Sequence, residues 1–361
     1  MNEEQALTAI RARIDELDRQ IQDLLNERAS AAQEVAHIKQ SSDPDAVFYR
    51  PEREAQVLRA VKERNQGPLG DEVMARLFRE IMSECLALEL PLSVGFLGPE
   101  GTFTQAAALK HFGHAVTTVP MTAISDVFQE VESGSCHYGV VPVENSSEGV
   151  VSHTLDMFLN SPLKICGEVT LRIHHNLLGS NADLESLKVV YSHQQSLAQC
   201  RGWLDRHLPF VERIPVGSNA EAARRATEAP DAAAIAGAMA AELYGLNVLV
   251  PNIEDDPGNT TRFLVIGRQV VPPSGEDKTS LLLSTRNEAG GLHRLLAPLA
   301  EHRISMTRIE SRPSRRGNWD YVFFIDINGH REDPQVAEAL AALRAQAGMY
   351  KELGSYPQAV L

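Results

Sequence analysis

The stretch Glu254-Asp255-Asp256-Pro257-Gly258-Asn259-Thr260-Thr261-Arg262-Phe263-Leu264-Val265-Ile266-Gly267 decides how the chain is read. Four apolar residues in a row, Phe263 to Ile266, closed by Gly267, predict a strand covered on both faces. Pro257-Gly258 and Asn259 predict the turn that feeds it. Thr261 and Arg262 therefore fall where a loop runs into a sheet strand. In open α/β sheets the loops at strand ends form the ligand crevice, so a hydroxyl beside a guanidinium is a candidate site. Two β-forming threonines and a solvated strand-end charge would account for the same letters, and other segments decide between these readings.

Working back from this strand, apolar runs at Val94–Leu97, Val116–Val119, Tyr138–Val143 and Val189–Tyr191 alternate with helical patterns near Phe103, Ile124–Val131, Val150–Phe158 and Leu197–Leu204. The alternation predicts a mostly parallel α/β domain over residues 92–270. Its strand ends are polar. Gly98-Pro99-Glu100-Gly101-Thr102 follows the first strand, and a loop leading into a helix N-terminus at Thr102 suits a carboxylate. Glu144-Asn145-Ser146-Ser147-Glu148 and Ser192-His193-Gln194-Gln195 follow two others, more polar residues than helix capping requires. Together with Thr261-Arg262 they could converge in a cleft between two lobes. Glycines 95, 98 and 101 do not make the dinucleotide fingerprint, and no phosphate-loop Lys-Ser/Thr follows. His174 and His175 stand in no metal-like constellation and read as structural.

Beyond the central domain, Val271 to Asp277 reads as a linker by composition. Residues 278–361 then give strand (Ser280–Ser284), helix (Leu292–His302), strand (Met306–Ser311), a turn at Arg315–Asn318, strand (Tyr321–Ile327), helix (Pro334–Ala345) and strand (Tyr350–Leu353). That βαββαβ order is ferredoxin-like, with Gly290-Gly291 as a flexible start to the first helix.

Residues 1–91 are helical. Ile10, Ile14, Leu17, Ile21, Leu24, Arg28, Ala31, Val35 and Ile38 recur in steps of four and three, one long helix with a coiled-coil-like seam. Arg28 breaks the seam, and a cation there is costly unless an anion meets it. Lys39 lies three turns on and about 16 Å along the same face, so the pair could clamp a small dianion; an internal ion pair for Arg28 is the alternative. Polar residues from Ser41 to Pro44 form a turn. Pro51 opens a second helix, and a third runs from Val73 to Leu88 before Pro91.

The formal net charge of −14 argues against nucleic acid or an anionic membrane as partner and requires any anionic ligand to be held by a local cluster. No segment has the apolar length of a membrane span. Cys85, Cys136, Cys166 and Cys200 lack metal or disulfide spacing, and the first residues lack the regions of a secretion signal; a reducing cytoplasm is expected, with no metal and no cofactor.

Residues 1–91, with Arg11, Arg28, Lys39, Arg53 and Glu54 on one long and two shorter helices, resemble the all-helical chorismate mutase family. The resemblance implies that Arg11, Arg28 and Arg53 bind the two substrate carboxylates, Lys39 the ether oxygen and Glu54 the ring hydroxyl. Glu89 stands where many members carry glutamine, and Arg50 where some carry an acid. Arg11 and Arg28 are about 25 Å apart along one helix, so Arg11 must come from a second, antiparallel copy: a homodimer or larger homo-oligomer.

Gly98 to Phe103, Pro142 to Ser146, Ser192-His193 with Gln195, and Thr261-Arg262-Phe263 together resemble the prephenate dehydratases, whose fold is similar to two-lobed periplasmic binding proteins. This implies loss of carbon dioxide and of the ring hydroxyl to give phenylpyruvate. Thr261 would be the catalytic hydroxyl, Glu144 or His193 the proton source, and Thr102, Asn145, Ser146, Ser192, Gln195 and Arg262 substrate ligands. The C-terminal module resembles the ACT domains of the same enzymes, with Gly290, Gly291, Leu292, Glu310, Ser311 and Arg312 implied to bind phenylalanine and Ala289 replacing a usual proline. A multidomain enzyme acting on chorismate and prephenate is expected. A non-catalytic amino-acid sensor would suit the same modules, but a pure binder needs neither Thr261 nor the Arg28–Lys39 pair.

Overall fold

The computed structural model describes residues 3–42, 47–180, 184–285, 288–313 and 321–361. The predicted turn at Arg315–Asn318 and residues Asp43 and Pro44 lie outside them.

The N-terminal unit is three helices. α1 (Glu3–Ser42) has acidic residues in its first turn and Lys39 in its last, both favourable to the helix dipole. α2 (Pro51–Arg64) starts on Pro51, whose missing N–H costs nothing at that position, and α3 is Asp71–Glu89. Leu58, Ala75 and Met82 bury the α2–α3 seam, with Val360 and Leu361 from the far end of the chain packed on it. On α1 only Ala36 is buried, while Ile10, Ile14, Leu17, Ile21 and Leu24 are exposed. A stripe this long and apolar is stable in water only when covered.

The central unit runs β1 (Ser93–Leu97), α4 (Phe103–Phe112), β2 (Thr117–Met121), α5 (Ile124–Ser133), β3 (Tyr138–Asn145), β4 (Gly149–Val150), α6 (Ser152–Phe158), β5 (Lys164–Arg172), β6 (Asn176–Gly179), β7 (Val189–His193), α7 (Gln194–Gln199), α8 (Arg201–His207), β8 (Glu212–Val216), α9 (Asn219–Ala226), β9 (Ala232–Ala236), α10 (Ala238–Tyr244), β10 (Asn247–Val250) and β11 (Thr260–Gly267). One lobe is the sheet β2-β1-β3-β11-β5, the other β10-β6-β9-β7-β8. The mostly parallel expectation is corrected. β11 runs antiparallel to both β3 and β5, and β6 antiparallel to β9 and β10. The chain crosses between lobes twice, after β5 and before β11, so β11 returns to the first sheet from the opposite end. Glu254 and Asp255, in the second crossing, fasten it. Glu254 accepts from the His175 amide and pairs with His174, while Asp255 accepts from the Gly202 and Trp203 amides at the start of α8. Phe263 to Ile266 are buried between the neighbouring strands, as the apolar run requires.

The C-terminal unit is β12 (Asp277–Ser284), α11 (Gly291–Glu301), β13 (Met306–Pro313), β14 (Tyr321–Asn328), α12 (Pro334–Gln346) and β15 (Met349–Pro357), an antiparallel sheet ordered β13-β14-β12-β15. Strand alternation divides its core. Leu281, Leu283, Ile325 and Ile327 meet α11 and α12, whereas Leu282, Phe324, Leu353 and Tyr356 share a core with Val143, Phe158, Leu264 and Ile266 of the first lobe. The module is therefore fused to that lobe. A Cβ on Gly354 would run into the Ile165 carbonyl, so glycine permits this approach. The segment read as a linker is fastened too: Val271 is buried, with its carbonyl on His330 Nε2, and Arg59 of α2 donates to the carbonyls of Ser274 and Glu276.

Candidate active sites

In the helical unit a cavity of about 500 Å³ is lined by Arg28, Val35 and Lys39 of α1, Arg53, Glu54 and Val57 of α2, Met82, Cys85 and Glu89 of α3, and Phe48 to Arg50 between them. The helical period explains the gathering. Arg28 and Lys39 are three turns apart on one face of α1, and Arg53, Glu54 and Val57 lie on the face of α2 turned toward it. Lys39 Nζ donates to the Val47 and Phe48 carbonyls at 3.3 and 3.5 Å and sits over the Phe48 ring. Glu54 is ion-paired with buried Arg79, so its charge is already matched. Burial pushes the Glu89 carboxyl above its ordinary range, opposed by the charges of Lys39 and Arg28. Arg11 is not among the lining residues; it lies exposed on the distant half of α1.

The second cavity, also about 500 Å³, opens between the lobes. Strand alternation selects which polar strand-end residues reach it. β3 and β11 pair Asn145 with Thr261 and Glu144 with Arg262, so the first couple takes one face of the sheet and the second the other. Thr261 and Asn145 line the cleft. Asn145 Oδ1 accepts from the Ser147 and Glu148 amides, which fixes its Nδ2 to donate to Thr261 Oγ1 and to Asn259 Oδ1, each at 2.8 Å. With that bond accepted, the Thr261 proton remains for a ligand. Thr261 is only 8% exposed, so such a donation would be made out of bulk water.

Thr102, His193 and Gln195 also line the cleft. His193 caps α7, its Nδ1 accepting from the Gln195 amide at 3.4 Å. Ser192 and Ser146 do not reach it. Ser192 Oγ is buried, within 2.9 Å of Asn219 Oδ1 and of the Ile235 carbonyl, and Ser146 staples β3 to β11 through the Thr260 amide. Glu144 and Arg262 do not line it either. Glu144 pairs with Arg308 at 3.0 Å; Arg262 reaches Glu168, Asp326 and the Tyr356 hydroxyl on the side of the C-terminal module. Stripping one partner from this buried group would cost about 3–5 kcal/mol.

Several lining residues carry no signal in the strand-end reading: His175, Gln199, Ser218, Asn219 and Gly237. One signal was available, since Ser218 followed by Glu221 has the spacing of a helix start, and Ser218 Oγ indeed accepts from the Glu221 amide. His175, read as structural, lines the cleft and is buried. Burial lowers its pKa, and its Nε2 meets Gln199 Oε1 at 2.8 Å. The N-termini of α4 and α9 face the same cavity from opposite lobes.

In the C-terminal module Gly290 has φ +76° and caps α11, a conformation that favours glycine. Glu310 and Ser311 lie on β13, the sheet's edge strand, and alternate to opposite faces. Arg312, expected at the effector, instead donates to Ser152 and Asp156 of α6.

The family model for chorismate mutase type II matches residues 10–90, that for prephenate dehydratase residues 94–270, and that for the ACT domain residues 279–345. A bifunctional chorismate mutase/prephenate dehydratase from Stutzerimonas stutzeri is 59% identical over the whole of both chains. The chain belongs to this family. It is a bifunctional enzyme that carries both activities, isomerase and lyase. A solved prephenate dehydratase from Arthrobacter aurescens, in complex with L-Phe, is 36% identical with a TM-score of 0.69, over 74% of this chain and 90% of that one. A structure described as a novel type of quorum quenching acylase is 30% identical with a TM-score of 0.68, over 74% of this chain and 98% of that one. Among the described residues no group of His, Cys, Asp or Glu is arranged to hold a metal, and no helix is long and apolar enough to cross a membrane.

Proposed function

We propose that Thr261 assists the dehydratase step by donating a hydrogen bond from its hydroxyl to the departing ring oxygen, with Asn145 holding Oγ1 from behind. The observation that carries this is the Asn145 Nδ2 to Thr261 Oγ1 bond, which occupies Oγ1 as an acceptor and leaves its proton available to a ligand. Aromatisation supplies the driving force, so orientation and one donor in a dry cleft suffice. A threonine hydroxyl with an amide and no base as its partner is poorly suited to acyl transfer, which argues against the acylase chemistry of the second neighbour. The substrate's carboxylates are held by the amides at the starts of α4 and α9, next to Thr102 and Asn219. His193 is the candidate proton source. Gln195 is a further contact.

In the helical unit, Arg28 and Arg53 bind carboxylates, Lys39 the ether oxygen and Glu54 the ring hydroxyl, while Glu89 donates to the ether oxygen when protonated. A Claisen rearrangement needs only a compact conformer and such donors. The exposed stripe of α1 supports an antiparallel dimer whose second copy delivers Arg11. Mixing Arg11→Ala with Arg28→Ala protein should then restore up to a quarter of parent mutase activity, about one competent site in two among the half of dimers that are mixed. No recovery despite proven subunit exchange would remove Arg11 from the site.

Phenylalanine is the effector of the C-terminal module, near Gly290, Gly291, Leu292, Glu310 and Ser311, and the enzyme works in the cytoplasm. Phenylalanine should suppress dehydratase turnover and weaken the binding of a prephenate analogue, and the analogue should weaken phenylalanine binding by the same factor as phenylalanine weakens its own. Calorimetric titration with and without the analogue measures both; equal phenylalanine affinity in the two titrations would exclude coupling.

A further inference from the structure

We propose that Arg262 and Glu144 are positioning residues, and that Asp326 and Arg308 of the ACT module hold, through them, the strand ends carrying Thr261 and Asn145 in catalytic register. This rests on the reading of Thr261 given above.

The ladder between β3 and β11 is weak at one place. Its register shifts between Arg262 and Phe263, where β3 carries an unmatched Val143 and the next paired residue is Pro142, which has no N–H to donate. Beyond this bulge β3 and β11 share only the pairs Glu144–Arg262 and Asn145–Thr261 and the bond from the Ser146 amide to the Thr260 carbonyl, while on their outer sides β11 stays paired with β5 and β3 with β4. Their cleft face is tied by Asn145 to Thr261 and Asn259. Their opposite face is tied almost wholly across the domain boundary. Arg262 Nη1 meets Asp326 Oδ2 at 2.5 Å and its Nη2 meets the Tyr356 hydroxyl at 3.0 Å, while Arg308 Nε meets Glu144 Oε2 at 3.0 Å. Glu168 on neighbouring β5 accepts from both Arg262 and Lys278, closing a group in which Arg262, Lys278, Glu168 and Asp326 sum to zero charge. Ser280 Oγ in turn donates to Asp326 Oδ1 at 2.5 Å. Each ACT contact is therefore one residue away, along a strand, from a side chain facing the cleft.

Two consequences follow from this arrangement. Loosening the contacts lets Thr261 drift relative to the cleft, and a misplacement of about 1 Å costs up to about a hundredfold in rate. Binding should suffer less, because the amides of α4 and α9 are not part of the group. Arg308 also shares β13 with Glu310 and Ser311, so a ligand that shifts this edge strand acts on Glu144 first.

The test uses the full chain. Asp326→Asn keeps the shape and removes the charge. Its dehydratase kcat should fall about ten- to a hundredfold with KM changed by less than about threefold, while mutase turnover stays at the parent value. The Glu144–Arg308 pair, in which Glu144 is 41% exposed and Arg308 11%, supplies the second arm. Arg308→Glu and Glu144→Arg should each lower kcat, and the double swap should recover at least half of the loss. A kcat within twofold of the parent in Asp326→Asn, or losses that add in the double swap, would overturn the proposal. Thr261→Ala, measured beside them, separates the two levels. If it keeps parent turnover, the reading of Thr261 fails and takes the proposal with it; if it is inactive while Asp326→Asn is unaffected, only the coupling fails.

Discussion

Four cations, Arg28, Lys39, Arg50 and Arg53, line the cavity of the helical unit, whereas the interlobe cleft is lined by no lysine or arginine among the described residues. The cavities are of equal size, and the product of one is the substrate of the other. In the first, charge is gathered by helical periodicity from three helices. In the second, hydroxyls, amides and the N-termini of α4 and α9 take its place. The rearrangement develops charge on an ether oxygen already surrounded by carboxylates, so permanent cations serve both ground and transition state. In the dehydratase a strong cation would hold the carboxylate that must leave as carbon dioxide. On the proposed reading, neutral donors bind it without trapping it.

The largest expected effect breaks the two sites apart. On the proposed reading Thr261→Ala removes the donor to the leaving oxygen and should cut dehydratase turnover by about 10²–10³, the usual loss for a single donor of this kind, with mutase turnover within about twofold. Following prephenate and phenylpyruvate separately from chorismate measures both. Equal loss of the two activities would mean that Thr261 supports the fold and not the reaction.

How far the sequence carried this comparison differs between the sites. Arg28 was visible because it interrupts an apolar seam, and helical spacing alone placed it with Lys39. Thr261 was visible as a hydroxyl before a buried strand. Glu144 and Arg262 were equally visible yet face away from the cleft, because the choice of face depends on which strand lies opposite and on the bulge at Val143, and neither has a local signature. The second lobe was barely legible. Ala232 to Ala236 form a fully buried strand with no β-branched residue except Ile235, and packing alone selects it. Its site residues Ser218, Asn219 and Gly237 are ordinary helix-start letters until the topology brings them to one cleft.

A smaller effect sharpens the contrast in proton dependence. Burial raises the Glu89 pKa, while Lys39 and Arg28 pull it down, and the net direction is upward. Only the protonated acid can donate to the ether oxygen, and a raised pKa extends that form to higher pH. Mutase kcat/KM should therefore be greatest on the acid side and decline as pH rises through the raised pKa, by about tenfold per unit at most. Glu89→Gln, which donates at every pH, should flatten the decline. A flat parent profile through neutrality, or a decline that survives Glu89→Gln, would remove Glu89 from this role.

The smallest effect is one of ionic strength, and its sign distinguishes the sites. Raising monovalent salt from about 0.1 to about 1 M shortens the Debye length from about 10 to about 3 Å. At the helical cavity four cations face a dianion, with Arg50 paired to Glu52 and Glu54 to Arg79, and screening weakens that attraction. Mutase KM should rise by about threefold. At the interlobe cleft no lysine or arginine lines the wall among the described residues, Glu148 does, and the chain's net charge of −14 repels the incoming dianion. Salt relieves that repulsion while it also weakens the partial charges of the helix termini, which are short-ranged and protected in the cleft. Dehydratase KM should then stay level or fall. Parallel rises in both KM values, measured in one salt series on the same protein, would mean that a cation outside the lining residues reaches the cleft when substrate binds.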